Sequence, residues 1–107
     1  MGNPVISTNC GGIHEYLTDG KDALLVGWKQ INLKANTRNK QWYTPDQNWA
    51  DADVEDLRRK MRMVYEDRKL AKKIGTAGEK TVRKLFGLKP VGEVMKARLD
   101  EIMEGEL

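Results

Sequence analysis

Residues 2–26 read GNPVISTNCGGIHEYLTDGKDALLV, and the fold turns on how this stretch is divided. Val5 and Ile6 follow a proline and precede a cluster of turn formers. Such a short apolar, β-branched run is what a buried parallel strand carries. The strand's carboxyl end is then Thr8, Asn9 and Cys10. Gly11 and Gly12 come next, and two adjacent glycines let the backbone turn sharply and approach another group closely. The segment IHEYL predicts a short helix over 13–18, stopped at TDGKD, where Gly20 suits a left-handed C-terminal position. ALLV at 23–26 is continuously apolar and predicts a second strand. Strand, helix, strand in that order gives an α/β unit with two short parallel strands, near 4–8 and 23–26.

Beyond this unit the periodicity lapses and then returns. Residues 27–53 scatter Trp28, Trp42, Tyr43 and Trp49 among Asn, Gln, Lys and a Thr-Pro-Asp turn, and read as a long loop with little regular structure. The tryptophans either pack across the two strands or form a platform on which a sugar ring could stack. From 54 onward three helices are predicted, with residues 54–107 forming a helical tail. In the first, Val54, Leu57, Met61 and Val64 recur at spacings of three and four, with Asp53 as N-cap. Leu70, Ile74, Ala77, Thr81 and Leu85 repeat the stripe in the second. Gly75 and Gly78 interrupt that helix at a cost of about 1 kcal/mol each relative to alanine, so they predict either the close approach of another backbone or a break in the helix. Gly87 ends it, and Pro90 suits the first turn of a last helix whose face is traced by Val91, Val94, Met95, Arg98, Leu99 and Ile102.

Composition excludes several functional classes. A chain of 107 residues has room for one modest domain, and no apolar run approaches the roughly 20 residues of a membrane span. The amino terminus lacks the basic segment and long apolar stretch of a secretory signal, so a cytoplasmic location is expected. Cys10 is the only cysteine and His14 the only histidine, which rules out an internal disulfide and argues against a Cys/His zinc site; no metal site is expected. Neither residue has beside it the partners that nucleophilic chemistry needs, so Cys10 reads as a small strand-end residue and His14 as a structural or rim residue. The net charge of +3 conceals an asymmetry: residues 58–98 carry fourteen Lys/Arg against four Asp/Glu, while residues 1–57 carry five against eight. The positive charge therefore belongs to the helices.

Taken together, the residues resemble a known pattern. Gly2, Pro4, Val5, Ile6, Thr8, Gly11, Gly12, Glu15, Asp19, Gly20, Leu25 and Val26 match G-x-P-V-I-x-T-x-x-G-G-x-x-E followed by D-G and an apolar strand. That pattern is found in the carboxyl-terminal domain of group 1 (family 4) retaining glycosyltransferases of GT-B fold. Trp49 and Ala50 before an acidic helix start, Leu57 and Met61, and an I-G-x-x-G helix ending near Phe86 arrive in the family's order. The resemblance implies an incomplete Rossmann-like unit with three to four helices, a carboxyl-terminal portion of the family's second domain. It implies a nucleotide-sugar donor, transfer with retention and no obligatory cofactor.

The same resemblance sets the expected site. Ligands of open α/β sheets bind at the carboxyl ends of the strands, which nominates Thr8, Asn9, Gly11 and Gly12 as donor-binding, with Thr8 and Asn9 readable equally as strand-end capping groups. Glu15, the family's acid after the double glycine, joins them, either as a polar contact near the cleft or as an acid in the first helical turn. The family's two signature carboxylates, spaced E-x7-E, precede the G-x-P motif and have no counterpart in these residues. Glu93 and Glu101 reproduce the spacing, but on the last helix, as an accident of a Glu-rich segment. No catalytic residue is therefore assigned, and the chain is expected to be inactive alone, completed by an amino-terminal half or by a second copy. Two other readings are open. Arg58, Arg59, Lys60, Arg62, Arg68, Lys69, Lys72, Lys73, Lys80, Arg83 and Lys84 could form a basic helical module for an anionic membrane. Nucleic acid is disfavoured as the partner because aromatics are not interleaved with these charges. The other reading is a structural remnant that folds against a partner, since two parallel strands alone leave edges to cover.

Overall fold

A computed structural model describes residues 1–33, 44 and 46–105. Two strands, β1 (Ile6–Thr8) and β2 (Leu24–Val26), pair in parallel with Ile6 opposite Leu24 and Thr8 opposite Val26. A five-residue 3-10 helix, Gly11–Glu15, stands in the connection where a helix over 13–18 is expected. Three α-helices follow, α1 (Val54–Glu66), α2 (Arg68–Phe86) and α3 (Leu88–Gly105). The fold is mixed α/β.

Residues 27–53 depart from the expectation of a long loop. Their two ends form β3 (Trp28–Asn32) and β4 (Asn48–Ala52), an antiparallel pair in register from Trp28 opposite Ala52 to Asn32 opposite Asn48. The period-2 signal is absent from the sequence because each face of the ribbon mixes apolar and polar residues, Trp28, Ala50 and Ala52 on one and Ile31 and Trp49 on the other, and residues 33–47 separate the strands, far beyond an ordinary hairpin turn. Trp42 and Tyr43 lie outside the described residues.

The buried apolar residues come chiefly from β2, the segment before it and α2. All three β2 residues are buried, with Val26 2% and Ile74 of α2 1% exposed. A separate cluster of Leu17, Ala23 and Leu25 is flanked by Ile13 and Tyr16. The two helix glycines have the first of their expected roles, close approach of another backbone. A Cβ on Gly75 would lie 2.0 Å from the Gly2 carbonyl oxygen, and one on Gly78 2.7 Å from that of Asp22. The segments flanking β1 and β2 therefore rest directly on the α2 backbone.

Helix α1 follows its apolar stripe in part, with Leu57 and Val64 half-buried. Asp53 caps it as expected, accepting from the Glu55 and Asp56 amides. Val54 and Met61, however, are exposed, and the buried residue of the helix is Lys60. Its ammonium bonds the Leu25 carbonyl and lies 3.0 Å from the Asp56 carboxylate. Asp56 also accepts the Gly27 amide at 2.9 Å. The end of β2 offers polar backbone groups to α1, and a matched Lys–Asp pair satisfies them where an apolar side chain could not.

The molecule is thin and open. Its radius of gyration is 19.1 Å and its extents are 52 × 44 × 18 Å, whereas a compact chain of this length has a radius of about 13 Å. The accessible surface is 8923 Å², against about 6,000 Å² for a compact monomer of the same mass. Much of the excess is apolar. No described residue of α3 is buried, and Leu88 is 96%, Val94 71% and Met103 70% exposed. No helix among the described residues is long and apolar enough to cross a membrane.

Candidate functional site

Every residue nominated for donor binding lies along one continuous turn at the carboxyl end of β1. Thr8 is the last strand residue and half-buried. The Asn9 amide donates to the Val26 carbonyl at 2.9 Å, extending the parallel ladder by one bond. The Cys10 amide folds back onto the Thr8 carbonyl at 2.8 Å, and Gly11 then takes a φ of +77°, a conformation that favours glycine. Gly12 needs no such allowance: its φ is not positive, and a Cβ placed there would meet nothing within 4 Å. Asn9, Gly11, Gly12 and Glu15 are all exposed.

Glu15 differs from one of its two expected roles. It is the last residue of the 3-10 helix, so it does not stabilise a helix start. Among the described residues its carboxylate forms no ion pair, which leaves it open at the rim. His14 beside it is exposed and Cys10 is half-buried and free.

The remaining residues of the sequence pattern hold the fold together. Gly20 has a φ of +76° and donates its amide to the Ala23 carbonyl at 2.8 Å, closing the turn before β2. Asp19 accepts the Leu25 amide at 2.8 Å and lies 3.8 Å from the Lys60 ammonium. Asp22, buried, accepts the Thr18 amide at 2.6 Å and the Thr81 hydroxyl of α2 at 2.8 Å. The D-G element is thus a device for seating β2.

The ribbon contributes one wall. The Trp28 indole N–H donates to the Asn9 carbonyl, fixing β3 beside the turn. Thr8, with Ile6, Ser7, Val26, Ala52 and Leu57, lines a depression of about 330 Å³ between β1, the end of β4 and α1. Strand register puts Trp28 on one face of the ribbon and Trp49, opposite Ile31, on the other. Trp28 and Trp49 therefore do not share a sugar-stacking platform, and Trp28 is exposed and tied to the turn by its indole hydrogen bond. The ribbon's part in the rim was missed because no apolar periodicity marks it; Trp28 immediately after the LLV strand was the one available signal.

Chemically, the rim offers a hydroxyl, an amide, backbone groups and one carboxylate. That set can bind hydroxyl-rich or carbonyl-bearing groups, and it contains no nucleophile paired with a base. The basic surface is also smaller than the sequence implied. Lys60 is buried, and Arg58, Arg62 and Arg83 pair within their helices with Glu55, Glu66 and Glu79 at 3.1, 3.6 and 2.8 Å. No family model, curated protein or solved structure matches the chain.

Proposed function

We propose that this chain is the carboxyl-terminal segment of a nucleotide-sugar-dependent glycosyltransferase, in which it supplies part of the donor-site wall and has no turnover alone. One observation carries the reading. The pattern residues that are not consumed in holding the fold, Thr8, Gly11, Gly12 and Glu15, collect with Asn9 on one turn at the carboxyl end of a parallel strand, all exposed but the half-buried Thr8. Ligands of α/β sheets bind at such strand ends. The surface in excess of a compact monomer supports a role in a larger assembly, because a standard interface removes only about 800 Å² from each partner. On this reading the sheet is an incomplete Rossmann-like unit, and further protein contributes the groups that neutralise the donor diphosphate and carry the transfer. Transition-state stabilisation requires those groups held together. The assembly would work in the cytoplasm, where a lone thiol such as Cys10 stays reduced.

Gly12→Val tests the reading at a position where the backbone is not left-handed and a Cβ meets nothing within 4 Å. Calorimetry with a panel of nucleotide sugars is expected to find weak binding by the wild-type chain and a loss of about tenfold or more in the variant, equivalent to at least about 1.4 kcal/mol. No transfer should be detected with either chain. Binding insensitive to Gly12→Val would move the site off the turn, most simply to the ribbon beyond Trp28. Turnover by the isolated chain would show that catalytic groups are present and unidentified.

A further inference from the structure

Helix α2 carries a line of lysines that the donor-site reading leaves unused. Lys69, Lys72, Lys73 and Lys80, with Thr76 and Ala77, border an open depression of about 510 Å³. At 100° per residue the four lysines and Thr76 fall within about 100° of the helix circumference, and Lys69 to Lys80 spans about 16 Å along the axis. Ala71, Ile74 and Gly75, which seat the helix on the protein, are buried on the opposite side. The line is therefore directed outward by the same packing that fixes the core.

These lysines differ in their neighbours from most of the helix arginines and from Lys96. Arg58, Arg59, Arg62, Arg83, Lys96 and Arg98 each meet a carboxylate three or four residues away. Among the described residues Lys69, Lys72, Lys73 and Lys80 meet none. Some of the positions three and four away carry other cations: Lys69 stands at these spacings from Lys72 and Lys73, and Lys80 from Lys84 and from Arg83, which is paired with Glu79. Like charges at these spacings destabilise a helix. An external anionic surface would relieve that repulsion, and solvent only screens it.

We propose that this face of α2 docks on an anionic lipid bilayer. Lysines suit that partner, because they meet headgroup phosphates as point charges without needing a fixed geometry. Phe86, at the end of α2, lies near Gly75 on the circumference with its ring against Tyr16 at 5.0 Å, so the contact rests on the lysines, each basic residue near an anionic bilayer surface contributing about 1 kcal/mol. No aromatic stands among the lysines on which a base could stack. This inference is independent of the donor-site reading, since it uses the opposite kind of observation and none of the same residues.

Co-sedimentation of the full chain with vesicles of phosphatidylcholine alone, or with three parts in ten of phosphatidylserine, tests it at 0.1 M salt. The anionic vesicles should retain the wild-type chain and the neutral ones should not. The variant Lys72→Ala/Lys73→Ala/Lys80→Ala keeps or raises helix propensity, and it should lose about 100-fold in partitioning, as expected for three lysines near a charged surface. Arg58→Ala/Arg62→Ala/Arg98→Ala removes the same number of cations from paired positions and should change partitioning by no more than about threefold. Equal loss in the two triple variants would reduce the effect to net charge and overturn the proposal. So would indifference to phosphatidylserine, or tighter binding to a 20-base-pair duplex than to the anionic vesicles, which would assign the face to nucleic acid.

Discussion

Gly75→Ala is expected to lower the stability of the chain by about 2 to 3 kcal/mol, although the same change in an exposed helix interior raises it by up to about 1 kcal/mol. The reason is positional. The new methyl would lie 2.0 Å from the Gly2 carbonyl oxygen, 2.8 Å from its carbon and 2.9 Å from the Asn3 carbonyl carbon. All three are backbone atoms, so no side chain can swing aside. Relief requires lifting residues 2 and 3 from α2, which pulls at the strand that carries Thr8. Gly92→Ala is the internal control: it lies in α3 with nothing within 4 Å of the added carbon. It should stabilise by about 0.5 to 1 kcal/mol. Urea midpoints for the two variants should therefore move in opposite directions, and a shift of the same sign in both would mean that α2 does not rest on residues 2 and 3.

Lys60→Met should produce a loss of similar size, about 2 to 3 kcal/mol, despite replacing a charge with an apolar side chain of comparable length. Lys60 is buried and bonds the Leu25 carbonyl while pairing with Asp56 at 3.0 Å, their side chains being 11% and 12% exposed. Removing it strands an acceptor at the end of β2, and an unpaired buried acceptor costs more than the bond it made. The cluster also has an acid signature. The Gly27 amide, followed by Lys60, holds the Asp56 carboxyl down from its ordinary 3.8 to about 2. A folded-state pKa below the unfolded one contributes stability that is complete above pH ~4 and is lost as pH falls toward 2. Asp56→Asn should accordingly weaken the chain at pH 6 and flatten the fall of its urea midpoint between pH 4 and 2. A slope unchanged by the substitution would assign the acid sensitivity to other carboxylates.

These two positions mark where sequence reasoning succeeded and where it could not. Gly75 and Gly78 were legible because glycine inside a helical stripe is costly and demands a steric reason, and the reason proved to be the backbone of the segments flanking β1 and β2. The parallel strands, the Asp53 cap and the left-handed Gly20 were legible for the same kind of local reason, each resting on one residue type at one backbone geometry. Lys60 was not. A hydrophobic stripe treats every lysine as solvated, so the side of α1 that meets β2 through charge looked like surface, while Val54 and Met61, which looked like core, are exposed. The β3–β4 ribbon was hidden by faces that each mix apolar and polar residues and by the length of chain between its strands. At the candidate site the grouping of Thr8, Asn9, Gly11 and Gly12 followed from their adjacency in sequence, but the approach of Trp28 to Asn9 is a tertiary contact with no local signature.

The openness of the fold gives these points a common meaning. A helix of 18 residues with no buried side chain is marginal in isolation, and a two-stranded parallel sheet has edges to cover. Such a chain gains most of its remaining stability from whatever covers it, and the donor-site reading identifies that cover with the rest of an enzyme.

The most direct test of that reading is a map of which amides respond to a donor. A chain of 12.2 kDa is well suited to two-dimensional 1H–15N NMR, titrated in turn with UDP-, GDP- and ADP-glucose. Fast-exchange shifts concentrated on the amides of residues 8–15, with smaller changes at Trp28, are the predicted result for at least one donor. Shifts absent with every donor, or confined to residues away from this turn, would contradict the assignment of the β1 carboxyl end as a donor-site wall.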